Sequence, residues 1–186
     1  LQACNDLRET LQEKDTIRFH PIMKGVNCAV NIIPDEMVIE SYVRGSNIEA
    51  MKRENKKFNR ALAGASAAIG CELHIDDKPG YSPEIHDVAY MQLVEEVCKD
   101  LAGADRVNFE YDSWSTGSSD FGDLTCVMPG IQFTSAGASG TAHGINYYLT
   151  DPERLLINSI KAQLLVADKL LKDDAAKAKE IVANYK

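Results

Sequence analysis

The sequence predicts an α+β protein, α/β when taken over its whole length, divided near residue 81. Three observations carry this. Residues 1–81 run helix, strand, strand, helix, strand, the order of an antiparallel sheet with helices on one face. The stretch Asp76-Asp77-Lys78-Pro79-Gly80-Tyr81-Ser82-Pro83 then interrupts every hydrophobic period with two prolines and a glycine. Residues 82–186 hold amphipathic helical segments around a Gly/Ser-rich centre and only two convincing strand-like runs, the composition of part of a sheet domain.

Leu1, Cys4, Leu7 and Leu11 recur at helical spacing, so a helix is already under way at Leu1 and the sequence reads as an excerpt from a longer polypeptide. Residues 16–24 and 36–43 follow as strands joined through Gly25 to Pro34. In the second, Met37, Ile39 and Val43 share one face, and Glu40, Tyr42 and Arg44 the other. Ser46 with Glu49 three residues on predicts a capping box, each side chain satisfying the other's backbone N–H. Ile48, Met51, Phe58, Leu62, Ala65 and Ile69 then make one apolar helical stripe, which Gly70 stops. Cys71, Leu73 and Ile75 alternate with Glu72 and His74 as a further strand.

Beyond the break, Ser82 as N-cap and Pro83 at the first helical position predict a helix to about Leu101. Short strands are expected over 107–110 and 131–135, on either side of the Gly/Ser-rich 113–122. A long amphipathic helix over 152–171, capped by Thr150 or Asp151, and a short terminal helix complete the chain. There is no internal repeat.

The chain has 186 residues, 45% of them hydrophobic and 26% charged, enough to bury a core in one domain or in two small ones. Its net charge of -8 supplies no basic surplus to displace counterions, which argues against a general nucleic-acid or anionic-membrane binder. No apolar run approaches the roughly 18 to 20 residues that span a bilayer, and the N-terminus has no signal pattern, so a soluble, cytoplasmic protein is expected. The five cysteines (Cys4, Cys28, Cys71, Cys98 and Cys126) are odd in number, scattered and free of any CxxC pair; buried free thiols are expected.

Taken singly, the polar candidates read plainly. His20 shares strand parity with Arg18 and Lys24, away from Ile17, Phe19 and Met23, as a surface histidine would. Arg44 on its polar strand face suits a rim ion pair, and Asn31 in Val-Asn-Ile-Ile-Pro suits a turn. A lone His143 in a glycine-rich loop is a weak ligand signal, and His74 and His86 suit ordinary surface roles.

In combination these residues mean more. His20-Pro21 near the start of a strand, then Asn31-Ile32-Ile33-Pro34, then Val43-Arg44 at the end of the next strand resemble the lid, or dimerisation, domain of the aminoacylase, carboxypeptidase G and aminobenzoyl-glutamate hydrolase family. The segment Gly117-Ser118-Ser119-Asp120-Phe121-Gly122-Asp123, followed by Val127-Met128-Pro129-Gly130, resembles that family's serine-threonine-aspartate-glycine stretch. Gly140-Thr141-Ala142-His143-Gly144 resembles the glycine-threonine loop that ends in its last metal-ligand histidine.

The resemblance implies a lid over 1–81 and the C-terminal part of an α/β zinc-hydrolase catalytic domain over 82–186. It implies that His20 stabilises the oxyanion of an attacked amide, reaching across a homodimer into the partner's site. It further implies that Asn31 and Arg44 hold the substrate's carboxylate end, that Gly140 and Thr141 line the substrate, and that His143 is a metal ligand. These residue types suit those tasks. A preorganised donor to a developing oxyanion is worth on the order of 3 kcal/mol in the transition state, and a guanidinium forks onto a carboxylate.

The resemblance implies that the family's histidine-x-aspartate motif, bridging carboxylate and glutamate pair lie upstream of the lid and so outside these residues. The intact enzyme is expected to hold two ions of zinc, manganese or cobalt and to hydrolyse N-acyl amino acids, aminobenzoyl-glutamate-like compounds or dipeptides. The 186 residues alone are expected to bind no metal tightly and to be inactive. Two other readings stand beside this one. They are a noncatalytic α+β dimerisation or ligand-binding module and, on the order of elements in 1–81, a ferredoxin-like regulatory domain.

Overall fold

The structure is a computed structural model that describes residues 1–113 and 115–185. Trp114, inside the Gly/Ser-rich stretch, and the terminal Lys186 lie outside them. Helices and small antiparallel sheets are mixed, consistent with an α+β fold. The chain divides into two compact units, Leu1–Pro83 and Glu84–Lys186.

The first unit begins with α1 (Gln2–Arg8) and a 3-10 turn, Glu13–Asp15. Each predicted strand of the hairpin is split. The first becomes β1 (Arg18–Phe19) and β2 (Ile22–Val26), the second β3 (Glu36–Glu40) and β4 (Val43–Arg44). Pro21 has no N–H to give a ladder, so pairing lapses there. Register survives the gap: Phe19 faces Val43 in β1/β4, and Ile22 faces Glu40 in β2/β3. His20 therefore lies opposite Tyr42, to whose carbonyl its N–H donates at 3.3 Å, and Pro21 opposite Ser41. Because no residue is inserted on either side, the alternation of faces carries through.

One face of this hairpin supplies the core. Ile17 and Phe19 are buried with Cys4, Ala50 and Phe58, and Val43, Leu7, Leu11, Met51 and Leu62 pack against them. Phe19 and Phe58 stack with ring centroids 5.1 Å apart.

Phe58 belongs to α2 (Ile48–Ile69), the predicted stripe, although Ile69 is 77% exposed at its end. The predicted capping box does not form. Thr16 Oγ1 donates to Ser46 Oγ at 2.8 Å and accepts the Ser46 N–H at 3.1 Å, so Ser46 is committed elsewhere. Asn47 caps instead, its side chain accepting the Ala50 N–H at 3.0 Å, while Glu49 pairs with Lys52. Gly70 ends the helix at φ 73°, as predicted. Residues 71–75, predicted as a strand, run exposed and have no ladder partner among the described residues. The segment is tethered at Asp77, whose Oδ2 accepts from the Asn55 and Asn59 amides at 2.6 and 2.7 Å.

In the second unit α3 (Val88–Ala102) starts later than predicted. Asp87, not Ser82, is the N-cap, accepting the Tyr90 N–H at 2.7 Å. In the lead-in, the Ile85 N–H donates to the buried Thr125 hydroxyl at 2.9 Å. Thr125 ends α4 (Phe121–Thr125), a short helix that starts at the end of the Gly/Ser-rich 113–122.

Among the described residues the strands expected over 107–110 and 131–135 form no ladder; Phe109, Ile131 and Phe133 instead pack on the core of Val94, Val97 and Val166. The strands that do form, β5 (Ala138–Ser139) and β6 (Tyr148–Leu149), make an antiparallel hairpin. It feeds α5 (Pro152–Asn184), capped by Asp151, which accepts the Arg154 N–H at 2.9 Å. A break at Lys172, Asp173, Asp174 and Ala175 separates α5 into the long and short helices the sequence predicts.

Every cysteine is free, but only Cys4 is buried; Cys28 and Cys71 are exposed, which corrects the expectation of buried thiols. Among the described residues no helix is long and apolar enough to cross a membrane.

Candidate functional site

The outer face of the β1/β4 hairpin gathers four of the chain's recognition-type side chains in two rows. Arg18 faces Arg44 across the ladder, and His20 faces Tyr42 in the next row. Their inward-facing neighbours Phe19 and Val43 sit in or against the core, which fixes the strand positions from which the outer side chains project. The Arg44 guanidinium lies over the Tyr42 ring, 5.1 Å from its centroid, a contact worth about 0.5–1 kcal/mol at an exposed site. His20 and Tyr42 are exposed and Arg44 is half-buried.

Chemically this is a cationic patch with an aromatic floor, suited to an anionic group. Two guanidiniums supply forked donors and the imidazole a donor beside them. Arg18 and Tyr42 carried no role in the sequence reading. The signal was present in the strand parity, but the pairing partner of each strand position was not.

Asn31 is placed elsewhere. The Ile32 N–H donates to Ala29 O at 3.1 Å, which puts Val30 and Asn31 in the middle of a tight turn at the hairpin's far tip. From the His20 row to the end of β2 at Val26 is already about 20 Å of strand. The structure brings His20 and Arg44 together and leaves Asn31 at the other end.

In the second unit the loop between β5 and β6 carries Gly140, Thr141 and His143. A Cβ on Gly140, at φ 104°, would lie 2.1 Å from Asn146 O, so the loop closes there only without a side chain. The Gly144 N–H donates to Thr141 O at 2.7 Å, and the Tyr147 N–H to Gly144 O at 3.1 Å. These turns hold His143 at φ 63°, a left-handed conformation uncommon outside glycine, with its side chain exposed. His74 and His86 are exposed, and His86 lies 3.7 Å from Glu84.

A zinc site takes three or four protein ligands. Among the described residues no three His, Cys, Asp or Glu side chains converge to hold an ion. The residues present do not by themselves fit a metal centre, His143 included.

The chain is similar to part of several known hydrolases. It is 23% identical over 103 residues to an N-acetyldiaminopimelate deacetylase of Oceanobacillus iheyensis, covering 55% of this chain and 27% of that protein. It is 28% identical over 127 residues to an Xaa-Arg dipeptidase of Mus musculus, covering 64% of this chain and 28% of the mouse protein. Against the Xaa-Arg dipeptidase of Homo sapiens identity is 26% over 155 residues, 78% of this chain and 34% of the human protein. The chain thus spans about a third or less of the length of these relatives. No family model and no solved structure matches it. The relatives are members of the amidohydrolase and peptidase family that the motifs resemble, and the resemblance stands at low identity over part of their length.

Proposed function

We propose that this chain, similar in sequence to those deacetylases and dipeptidases, is the recognition part of an amidohydrolase or peptidase. Residues 1–81 would serve as its lid and dimerisation domain, and 82–186 as the C-terminal portion of its catalytic domain. The observation that carries the reading is the presence, in adjoining rows of one strand face, of His20, a donor for an oxyanion, and Arg44, a fork for a carboxylate. A substrate with an amide bond a few atoms from a carboxylate engages both. N-acyl amino acids and dipeptides have that shape.

In this reading His20 donates to the carbonyl oxygen as it gains charge, and Arg44 grips the carboxylate equally in ground and transition states. Gly140 and Thr141 would line the substrate, as the resemblance implies. Asn31, remote from Arg44 within one chain, could meet the same carboxylate only from a partner copy, which fits a homodimer. His143 would contribute one ligand of a zinc, manganese or cobalt centre whose other ligands are not among these residues.

The test is hydrolysis of N-acetyl amino acids and of dipeptides ending in arginine by the intact enzyme, read as released amino acid. His20→Ala should lower turnover roughly a hundredfold or more, whereas Arg44→Ala should act mainly by raising KM. Unaltered turnover in His20→Ala would remove the oxyanion role. Absence of any turnover in the intact protein would leave the noncatalytic module as the better account.

A further inference from the structure

We infer that the helix over 176–184 is a strained latch, held on the end of α4 by Ile181 and Tyr185, whose release lets residues 172–175 straighten and uncovers Cys126. The latch is independent of the amidohydrolase reading above. The break that sets this helix apart from the rest of α5 is built from residues that do not favour one. Lys172 is extended, at φ -57° and ψ 155°, and Asp173, Asp174 and Ala175 follow at φ 52°, 56° and 57°. In that left-handed region the Cβ of an L-residue crowds the following carbonyl oxygen, which is why such residues ordinarily occur singly. No glycine or proline lies in 153–184, and alanine and lysine dominate 172–179. Local propensity therefore favours one unbroken helix.

Tertiary contacts hold the bend against that preference. Ile181 is 4% exposed. One turn further on, the Tyr185 hydroxyl donates to the Thr125 carbonyl at the end of α4. Thr125 is itself buried, and its hydroxyl accepts the Ile85 N–H and donates to the Gly122 carbonyl, each at 2.9 Å, so Tyr185 closes on a fixed point. Burial, then the neighbouring Cys126 sulfur and the Asp87 carboxylate, push the Tyr185 phenol up, as suits a ring seated near both. The Lys179–Asp174 ion pair at 2.7 Å is exposed and contributes little. Two side chains thus keep the bent arrangement, and the backbone of 172–175 favours the straight one. Cys126, next to Thr125, is half-buried in the bent form.

The experiment follows alkylation of Cys126 by iodoacetamide in the 186-residue chain, read by peptide mass, with Cys98, which packs on the core of the same unit, as internal reference. Reaction at a covered thiol tracks the population of the open form. Tyr185→Phe deletes the hydroxyl and keeps the ring, and should accelerate Cys126 about fivefold with Cys98 unchanged. Asp173→Gly with Asp174→Gly should slow Cys126 and offset Tyr185→Phe, because glycine relieves the left-handed strain and disfavours the straight helix. With both anchors removed, in Ile181→Glu with Tyr185→Phe, NMR contacts from Hα to the amide three residues on should run unbroken through 170–177. An unchanged Cys126 rate in Tyr185→Phe would overturn the latch. So would equal acceleration at Cys98, which means that the whole unit opens, or loss of both anchors without those contacts, which means that the helix only frays.

Discussion

His143 illustrates how a single residue can be conformationally costly where it stands. Its φ of 63° puts the Cβ in the crowded left-handed region, which disfavours any side chain by roughly 1–2 kcal/mol relative to glycine. His143→Gly should accordingly be more stable than His143→Ala by about 1 kcal/mol in chemical denaturation, since both lack the imidazole and only one keeps the Cβ. Equal stability, or the reverse order, would show that the loop does not hold this conformation.

A second residue-scale case is Glu95. Lys99, at 2.8 Å, and then the Tyr111 hydroxyl hold its carboxyl below the ordinary range, and the same bond to Glu95 pushes the Tyr111 phenol up. A lowered carboxyl contributes stability above its unfolded value and loses it as pH falls through the folded one. A raised phenol contributes below its unfolded value and loses it as pH rises through the folded one. In an NMR pH titration, Lys99→Ala should raise the Glu95 midpoint more than Tyr111→Phe does. The opposite ranking would reassign the main cause. Sequence spacing shows the Glu95–Lys99 pair, four apart on a helix, but nothing in it pairs Glu95 with Tyr111 across the loop.

At the scale of elements, the helices were legible and their exact starts were not. Ser46-x-x-Glu49 and Ser82-Pro83 are sound local signals, and each lost to a tertiary bond: Thr16 takes the Ser46 hydroxyl, and buried Thr125 holds the Ile85 N–H. Loss of a side-chain cap costs about 1 kcal/mol. Asn47→Ala should therefore lower stability by about that much, while Glu49→Ala should change it by only a few tenths. A larger loss from Glu49→Ala would restore the capping box. The strands at 107–110 and 131–135 were misread for a related reason. Alternation reports which residues face a core, and Phe109, Ile131 and Phe133 do face one, but it does not report whether a neighbouring strand is present to pair the backbone. The buried helix residue Glu54 defied the apolar stripe altogether. It is 1% exposed, and its carboxylate is met by Arg53 at 2.8 Å and by Lys57 at 2.9 Å, with Arg53 also reaching Asp15.

For the whole molecule, the β2/β3 ribbon leaves a debt that the core does not cover. Met23, Met37 and Ile39 fall on the same hairpin face as the buried Phe19, yet all three are exposed, because the core reaches only the β1/β4 end. An exposed apolar ribbon beside open backbone edges favours pairing. A second copy of this chain as its cover accords with the homodimer proposed above and with the remoteness of Asn31 from Arg44. Charge at the centre of such a contact should dissociate it, since a buried unpaired carboxylate is far costlier than the apolar contact is favourable. The native chain should thus sediment as a dimer at high micromolar concentration and Ile39→Glu as a monomer, with unchanged helix content by circular dichroism, because Ile39 lies outside the folded core. A native chain that sediments as a monomer would count against the homodimer itself, and an Ile39→Glu chain that stays dimeric would place the dimer contact somewhere other than this ribbon.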